Sequence, residues 1–392
     1  MLNAAGYQAF IVGGCVRDLL LGVIPKDYDI TTDALPNKII ELFSKTIPTG
    51  LKHGTVTVVM GEGIENHFEV TTFRIEGNYA DGRRPEEVFF VMHIDQDLAR
   101  RDLTINSIAY DPITNRLVDP FNGIEGLQNG LLKAVGNADY RFKEDGLRIM
   151  RVARFAARFN YKIDENTLSA MSNNLDTLKK VSKERIKDEL CKTLMTDNQS
   201  YGIQLLHKCG ALQVICPLLS TEPYMLFAPK LDKCKGDLET RLAFLYGNMK
   251  NPEAYNELLS LKFSNKELKR VSFLLDLLDN YIQFANNGTV AAYKGFMAII
   301  KNHAPDPWEY TLKQFIILVS AIGYKYSRDL DKYKGEIVFS KREMQINGND
   351  LLELGITAGP KIKNILDVCY LEILRNPDNN NKEYLLKYAA II

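Results

Sequence analysis

The fold of the N-terminal part is set by the stretch FIVGGCVRDLLLG at residues 10–22. Its apolar, β-branched start predicts a buried strand, and Gly13 and Gly14 end this strand and lead into a helix. Such a turn brings backbone N–H groups close to phosphate oxygens, and Arg17 adds a charged donor beside them. The stretch therefore predicts an α/β unit whose first strand ends in an anion-binding turn.

Length and composition are those of a globular protein with more than one domain. At about 150 residues per domain, 392 residues predict two or three domains. Hydrophobic residues make up 46% and charged residues 25%, which excludes a disordered or a fibrous chain. The 49 Lys and Arg residues balance 49 Asp and Glu residues, so any basic binding site is expected to be local.

The cysteines and the apolar runs indicate the compartment. The six cysteines are scattered, with no C-x-x-C pair and no histidines at zinc spacing, which predicts reduced thiols in a cytoplasmic protein. No apolar run reaches the roughly 18 residues that cross a bilayer, and the N-terminus has no basic start followed by an apolar stretch. We therefore expect neither a membrane segment nor export.

The hydrophobic period changes along the chain. Within residues 1–135, strands are predicted at 55–60 and 67–73, joined through a turn at 61–63, and a helix begins at Pro36. From about Tyr140 the period is 3.6 and strand signals nearly vanish. The helices predicted there include 144–159, 164–172, 182–195, 200–210 and 266–283. A small mixed sheet followed by a helical region of about two thirds of the chain is expected.

A first polar cluster follows the glycine turn. Asp27 and Asp29 are two residues apart, so on a strand both carboxylates point to one face and repel each other unless a cation lies between them. Mg²⁺ is favoured by its preference for oxygen ligands, although an isolated pair of this kind is more often a solvated turn. Glu69 is the acidic position within an apolar strand and is predicted as a third ligand, the alternative being a buried pair with an arginine such as Arg74.

A second polar cluster lies at residues 97–106. Arg101 can bind a triphosphate, and Asp102 or Asn106 can hydrogen-bond a ribose hydroxyl. Without its context, the same pattern is equally typical of a charged helix start.

A third cluster is the predicted helix that starts EDGLR at residue 144. At about 100° per residue, its charged side chains fall in one stripe, while the other positions are apolar. The stripe consists of Asp145, Arg148, Arg151, Arg154 and Arg158. Because burying several unpaired guanidinium groups is prohibitive, we expect these arginines to line a wet cleft that holds an anion, with phosphate favoured.

Asp145 and Arg148 are expected to share one face of this helix. Together they present an acceptor beside a donor, which matches the N4 and N3 edge of cytosine and the N6 and N1 edge of adenine. Uracil and guanine reverse this pattern. The pair therefore predicts a site that selects C and A without a nucleic-acid template.

In this order, the three clusters resemble the motifs of the class II tRNA nucleotidyltransferases, the CCA-adding enzymes. That family shares the nucleotidyltransferase fold of the DNA polymerase β superfamily with bacterial poly(A) polymerases. The resemblance extends over essentially the whole chain. Its motifs are found at residues 12–29, 100–106, 119–127, 144–159 and 183–190.

The resemblance implies an α+β architecture, with a small mixed-sheet head followed by an all-α neck, body and tail. The implied boundaries are 1–137 for the catalytic head, 138–200 for the neck that selects the nucleotide, 201–325 for the body and 326–392 for a tail that binds tRNA. It also implies that Asp27 and Asp29, with Glu69 as a further catalytic candidate, serve a reaction with two Mg²⁺ ions. The nucleotide-binding residues would be Gly13, Gly14, Arg17, Arg101, Asp102, Asn106, Asp145, Arg148, Arg151 and Arg154.

The implied function is template-independent addition of the 3′-terminal CCA to tRNA from CTP and ATP, with release of pyrophosphate and no obligatory protein partner. Addition of CC alone is disfavoured, because residues 77–85, with Arg83 and Arg84, resemble the flexible loop needed for the switch to A. An enzyme that adds only the terminal A is the main alternative, and a poly(A) polymerase is a further one. A catalytically silent RNA-binding protein on the same fold is an alternative of another class, which the clustered carboxylates disfavour.

Overall fold

The structure is a computed structural model that describes residues 1–61, 63, 66–77, 88–221, 224–285, 289–323 and 335–391. The chain forms two compact units, Met1–Glu222 and Pro223–Ile392. Apart from Gly77, the predicted loop at residues 77–85, with Arg83 and Arg84, lies outside the described residues.

The first unit begins with a mixed sheet. Its strands are β1 (Ala9–Val12), β2 (Asp29–Thr32), β3 (Thr46–Gly50), β4 (Thr55–Val59), β5 (His67–Thr72), β8 (Ala109–Asp111) and β9 (Arg116–Val118), with β6 (Arg74–Glu76) pairing β7 (Val88–Phe90) separately. The order in the seven-stranded sheet is β3-β4-β5-β2-β1-β8-β9. Strands β2 and β5 are parallel, and the other neighbours are antiparallel. The predicted small mixed sheet is confirmed.

The α-helices described in the first unit fall into two groups, of which the first three lie between strands of the sheet and the others follow it. They are α1 (Gly14–Leu20), α2 (Pro36–Leu42), α3 (Ile94–Ala99), α4 (Gly123–Asn129), α5 (Ala138–Glu144), α6 (Leu147–Phe159), α7 (Glu165–Asn173), α8 (Leu175–Leu178), α9 (Lys183–Leu194), α10 (Gln199–Lys208) and α11 (Ala211–Ile215). A short parallel pair, β10 (Leu131–Leu132) with β11 (Lys162–Ile163), lies among them. The α+β class with a helical region after the sheet is as predicted.

Apolar clusters fix the sheet within this unit. Ile39 of α2 is fully buried in one cluster with Val56 and Val70. Phe10 and Val12 alternate with half-buried neighbours along β1 and pack with Leu98 of α3 in another cluster. Each such side chain contributes about 1.5 to 3 kcal/mol through burial. The sheet is therefore a firm base for the turns at its edge.

The register of the sheet places the first cluster beside the glycine turn. Since β1 and β2 are antiparallel, with Ile11 opposite Ile30, the end of β1 and the start of β2 lie at the same edge. Asp29 begins β2 and is in register with Glu69 at the neighbouring strand. The glycine turn and Asp29 thus meet where α1 leaves the sheet.

The helix predicted over 144–159 is interrupted. Helix α5 ends at Glu144 and α6 begins at Leu147, while Asp145 has an extended backbone with φ −144° and ψ 106°. Gly146 explains the position of the break, because a Cβ atom there would lie only 2.4 Å from the backbone carbon of Thr177. The expectation that Asp145 shares a helix face with Arg148 is therefore wrong, since Asp145 precedes the helix.

The second unit is helical in its described part. Its helices are α12 (Leu238–Leu245), α13 (Asn251–Ser260), α14 (Asn265–Ala285), α15 (Val290–His303), α16 (Trp308–Ile322), α17 (Gly348–Glu353), α18 (Pro360–Arg375) and α19 (Lys382–Ile391). Three aromatic rings, Tyr281, Phe296 and Phe315, pack with centroids 5.1 to 5.5 Å apart and join α14, α15 and α16. The described helices include none with the length and apolar character that a membrane span requires.

Candidate functional site

A cavity of about 500 Å³ opens in the first unit, where the sheet edge meets α6. The residues that line it are Gly14, Arg17, Asp29, Arg100, Arg101, Asp102, Asn106, Asp145, Leu147, Arg148, Arg151, Phe155, Arg158 and Arg185. Residues from all three predicted clusters thus share one wall. Of the predicted site residues, only Gly13, Asp27, Glu69 and Arg154 are outside this lining.

Gly13 allows an arginine to approach the turn. Its φ of +82° lies in the region that favours glycine, and a Cβ atom there would be 2.8 Å from Nη1 of Arg101. The lack of a side chain at Gly13 therefore permits the close approach of the strand end and the guanidinium group of the second cluster.

Arg17 is buried in the wall with 3% of its surface exposed. Its Nε donates to Oδ1 of Asp18 at 2.8 Å, and its Nη1 donates to Oδ1 of Asn106. The guanidinium carbon also lies 5.2 Å from the ring centre of Phe155 and 5.0 Å from that of Phe159. Burial lowers the pKa of Arg17, and the pair with Asp18 opposes this shift.

Of the two carboxylates of the first cluster, one lines the cavity. Asp29 lines it and Asp27 is exposed nearby. Partial desolvation raises the pKa of Asp29, the charge of Arg101 lowers it and that of Asp27 raises it further. A carboxylate whose pKa is raised by the charge of a neighbouring carboxylate fits a hard divalent cation such as Mg²⁺, which would relieve their repulsion.

Glu69 differs from the sequence expectation. It is exposed rather than buried in its strand, although it is in register with Asp29. The inference that burial requires a partner for Glu69 is therefore wrong. Within the part of the chain that the structure describes, no group of three or more His, Cys, Asp or Glu side chains is arranged to hold a metal ion. Its role as a ligand stays a prediction.

A buried carboxylate that the sequence analysis did not single out supports the second cluster. Asp97 is fully buried, and its oxygens lie 2.9 Å from Nε of Arg100 and 3.4 Å from Nη2 of Arg101. Burial alone would raise the pKa of Asp97, but the two guanidinium groups outweigh it and lower the pKa below its usual range. The signal available in the sequence was that Arg100 and Arg101 follow Asp97 by three and four residues, the separations at which side chains of a helical turn interact.

Asp102 and Asn106 form a chain of contacts between the head and α6. Oδ1 of Asp102 accepts from Nδ2 of Asn106 at 3.1 Å, and Oδ2 accepts from Nε of Arg151 at 2.7 Å. Since Asn106 also accepts from Arg17, both predicted ribose-binding residues already have protein partners here. Desolvation would raise the pKa of Asp102, but Arg151 and Asn106 outweigh it, so the pKa is strongly lowered.

The two predicted base-reading residues line the same cavity with separate partners. Asp145 accepts from Arg185 through both oxygens, at 3.3 and 2.7 Å. Arg148 is 7% exposed and donates to Glu144 at 2.7 Å and to the backbone oxygen of Arg100 at 2.9 Å. Arg185 is a site residue that the sequence does not reveal. It lies 40 residues from Asp145, and no sequence pattern links residues so far apart.

Arginines of the α6 stripe form ion pairs with carboxylates of the protein itself. Nε of Arg154 lies 2.6 Å from Oε2 of Glu189, which is 3% exposed on α9. Arg158 pairs with Asp18 at 3.1 Å. The expectation that burial of these arginines requires a bound anion is therefore wrong for Arg154. The position of Glu189 beside Leu190 on the apolar face of α9 was a signal for such a partner.

The wall as a whole is suited to a polyanion with an aromatic part. Seven arginines and three aspartates line the cavity, and Phe155 adds an aromatic surface. A volume of about 500 Å³ is within the usual range for small-molecule sites. Cationic donors and carboxylates that line one cavity can hold a phosphorylated ligand beside a metal ion.

Comparison with protein families gives three consecutive matches. Residues 9–133 match the poly A polymerase head domain, and residues 160–222 match a region described as the probable RNA and SrmB-binding site of polymerase A. Residues 238–389 match the family described as tRNA nucleotidyltransferase domain 2, putative.

Curated relatives and solved structures are similar over the full length. The CCA-adding enzyme of Lactobacillus johnsonii is 33% identical, with 100% of this chain and 95% of that protein covered, and that of Ligilactobacillus salivarius is 35% identical, with 99% and 93% covered. The structure of the Bacillus stearothermophilus CCA-adding enzyme in complex with CTP has a TM-score of 0.81 at 29% identity, covering 100% and 94%. The Thermotoga maritima CCA-adding enzyme complexed with tRNA shares the fold, with a TM-score of 0.69 at 20% identity over 99% and 92%.

Proposed function

The chain belongs to the family of CCA-adding enzymes, and from this premise we propose that it adds the 3′-terminal CCA to tRNA from CTP and ATP without a template. The observation that carries the proposal is the single cavity in which Asp29 faces an arginine-rich wall. A nucleotide bound there has its phosphates among guanidinium groups and close to the carboxylates.

The proposed reaction is a nucleotidyl transfer. The 3′-oxygen of the RNA attacks the α-phosphorus of the nucleotide, the bond from that phosphorus to the bridging oxygen breaks, and pyrophosphate leaves with the electron pair. The proton of the 3′-hydroxyl passes to solvent. Arg17, Arg101 and Arg151 stabilise the charge that develops on the phosphate oxygens, and Arg154, which is outside the cavity lining, orients this wall from α6 through Glu189.

Asp27 and Asp29 are the residues that would hold Mg²⁺, with two ions expected. Bound Mg²⁺ supplies positive charge that lowers the pKa of the attacking hydroxyl and neutralises the leaving pyrophosphate. The contribution of this chain is to fix Asp29 at the start of β2, opposite the glycine turn.

Base selection is assigned to Asp145 and Arg148. The carboxylate of Asp145 keeps acceptor capacity beyond its bonds to Arg185 and to the backbone nitrogen of Leu147, and the guanidinium group of Arg148, whose N–H groups are all donors, lines the same cavity. An acceptor and a donor at the cavity wall match the edges of cytosine and adenine and disfavour those of uracil and guanine.

The experiment is incubation of the protein with three tRNA transcripts, which end before CCA, after CC and after CCA, with Mg²⁺ and each labelled nucleotide alone and together. We expect two C additions followed by one A, no extension of the complete transcript, and loss of all incorporation in Asp27→Ala. Asp176→Ala is the matched control, since Asp176 lies on the surface and pairs with Lys179.

Other outcomes separate the alternatives. Extension of only the CC-ended transcript by one A would identify an A-adding enzyme, and long A tails on any RNA would identify a poly(A) polymerase. Binding of tRNA without incorporation by the unmodified protein would overturn the enzymatic proposal in favour of an RNA-binding protein.

A further inference from the structure

Asp18 joins two structural elements at the cavity, although it does not line it. Its Oδ1 lies 2.7 Å from Nη2 and 2.8 Å from Nε of Arg17 on α1. Its Oδ2 lies 3.1 Å from Nη2 of Arg158, near the end of α6. One carboxylate, 15% exposed, therefore bridges an arginine of the sheet edge and an arginine of the helical region.

Aromatic rings complete this bridge. The rings of Phe155 and Phe159 are parallel within 2°, with centroids 6.0 Å apart. Arg17 lies within 5.2 Å of both ring centres, and Arg158 lies 5.0 Å from that of Phe159. Both guanidinium groups that Asp18 pairs are thus also packed on α6, at distances typical of cation–π contacts.

The contacts of Arg17 within the protein do not use all of its N–H donors, so some can bind a ligand. Asp18 receives the Nε hydrogen and one Nη2 hydrogen, and Asn106 receives one Nη1 hydrogen. Since a guanidinium group has five N–H donors, one hydrogen remains on each terminal nitrogen. Two arginines share one carboxylate, so the cluster keeps a positive charge at the wall.

We propose that Asp18 is a positioning residue for the triphosphate, which acts by fixing the guanidinium group of Arg17 and by tying it to α6 through Arg158. The inference rests on the proposed function in one respect, namely that the polyanion in the cavity is the triphosphate of CTP or ATP. An arginine held in place before binding loses less side-chain entropy when it contacts phosphate.

The test is Asp18→Asn, which keeps the shape of the side chain and removes its charge. We expect KM for CTP and for ATP to rise by about tenfold, with kcat changed by less than about threefold, because an ion-assisted contact to Arg17 is lost. The preference for CTP over UTP should not change, since the proposed contact of Arg17 is to the triphosphate and not to the base.

A second readout separates positioning from a structural role. Inhibition by inorganic tripolyphosphate should weaken by the same factor as KM rises, while inhibition by cytidine should be unchanged. Asp176→Asn, a charge-to-amide change at a surface ion pair, should alter neither. Arg158→Ala should give a smaller rise in KM, and the double variant with Asp18→Asn should cost less than the product of the single changes.

Melting temperature, KM and tripolyphosphate inhibition together decide against the positioning role. A lower melting temperature with unchanged KM and unchanged tripolyphosphate inhibition would show that Asp18 is only structural. If Asp18→Asn does not fold, Arg158→Ala with unaltered tripolyphosphate inhibition would overturn the coupling through α6. Calorimetric binding of tripolyphosphate, compared between the unmodified protein and Asp18→Asn, tests the inference even if no nucleotide is incorporated, so its failure and that of the proposed function are distinguishable.

Discussion

Asp102 shares its carboxylate among four donors from three residues. Oδ1 accepts from the backbone nitrogen of Leu103 at 2.8 Å and from Asn106 at 3.1 Å, and Oδ2 lies 2.7 Å from both Nε and Nη2 of Arg151. Burial of an unpaired carboxylate would cost several kcal/mol. The pKa of Asp102 is instead strongly lowered, so the charged form stabilises the folded protein.

This lowered pKa predicts a pH-dependent effect of Asp102→Asn. A group whose pKa is lower in the folded state contributes stability that is present above its unfolded pKa of about 3.9 and is lost as pH falls through the folded value. At pH 7 we expect the variant to lose about 2 kcal/mol, or about 4 to 8 °C in melting temperature for a unit of this size. The gap to the unmodified protein should be constant from pH 8 to 5 and shrink below pH 4, as followed by thermal unfolding. A gap that grows on acidification would contradict the ion pair.

Gly13→Ala is predicted to affect nucleotide binding beyond its backbone strain. The left-handed φ of +82° makes any side chain cost about 1 to 3 kcal/mol, and the added Cβ atom displaces Nη1 of Arg101. Gly22→Ala is the matched control, since Gly22 has φ +74° and nothing within 4 Å of its Cβ position. Both variants should be destabilised, but only Gly13→Ala should raise KM for CTP by about tenfold. An equal KM for CTP in the two variants would show that Arg101 does not bind the triphosphate.

The helices and strands show what the sequence determines locally. The periods of two and 3.6 residues predict β4, β5, α2, α9 and α14 within a few residues of their observed ends, because each pattern lies within its own element. The break between α5 and α6 falls at Gly146, which is a local signal, but the close approach of the Thr177 backbone, about thirty residues away, has none. In the same way, the sequence indicates which charged side chains meet at the cavity but not that Arg185 pairs with Asp145 and Glu189 with Arg154, since those partners come from α9.

The break before α6 predicts that Gly146→Ala alters base selection. The added Cβ atom would meet backbone atoms of Thr177 and Leu178 at 2.4 to 2.6 Å, which cannot rotate away, so α6 or α8 must shift. We expect a loss of about 1 to 3 kcal/mol in stability and more incorporation of UMP relative to CMP, because Asp145 moves with the break. Gly335→Ala, at a position with open space, is the control. An unchanged ratio of UMP to CMP incorporation in a destabilised variant would show that Asp145 does not select the base.

The two compact units allow the proposed binding of nucleotide and of tRNA to be tested separately. All residues that line the cavity are in the first unit, between Gly14 and Arg185. In the second unit, Lys361 and Lys363 are exposed at the start of α18. The first turn of this helix contains no acidic residue. Cations at a helix start are unfavourable by themselves, because that end of the helix carries a partial positive charge. A phosphate backbone would relieve this repulsion, so these two lysines are the place to test the tRNA-binding tail, which stays a prediction.

The double variant Lys361→Glu and Lys363→Glu is therefore predicted to weaken tRNA binding without changing nucleotide binding. We expect KM for tRNA to rise by about tenfold at moderate salt, and the slope of log KM against log salt to fall by about 1 for each lysine that contacts a phosphate. KM for CTP should stay constant, since the cavity lies in the other unit. Lys38→Glu, at an exposed position of α2 that pairs with Glu41, is the control for a single charge reversal, to be compared with Lys361→Glu and Lys363→Glu one at a time, and should leave both values unchanged. A rise in KM for CTP together with that for tRNA would mean that the two units do not bind their ligands independently, and an unchanged KM for tRNA would place these lysines in a solvated surface.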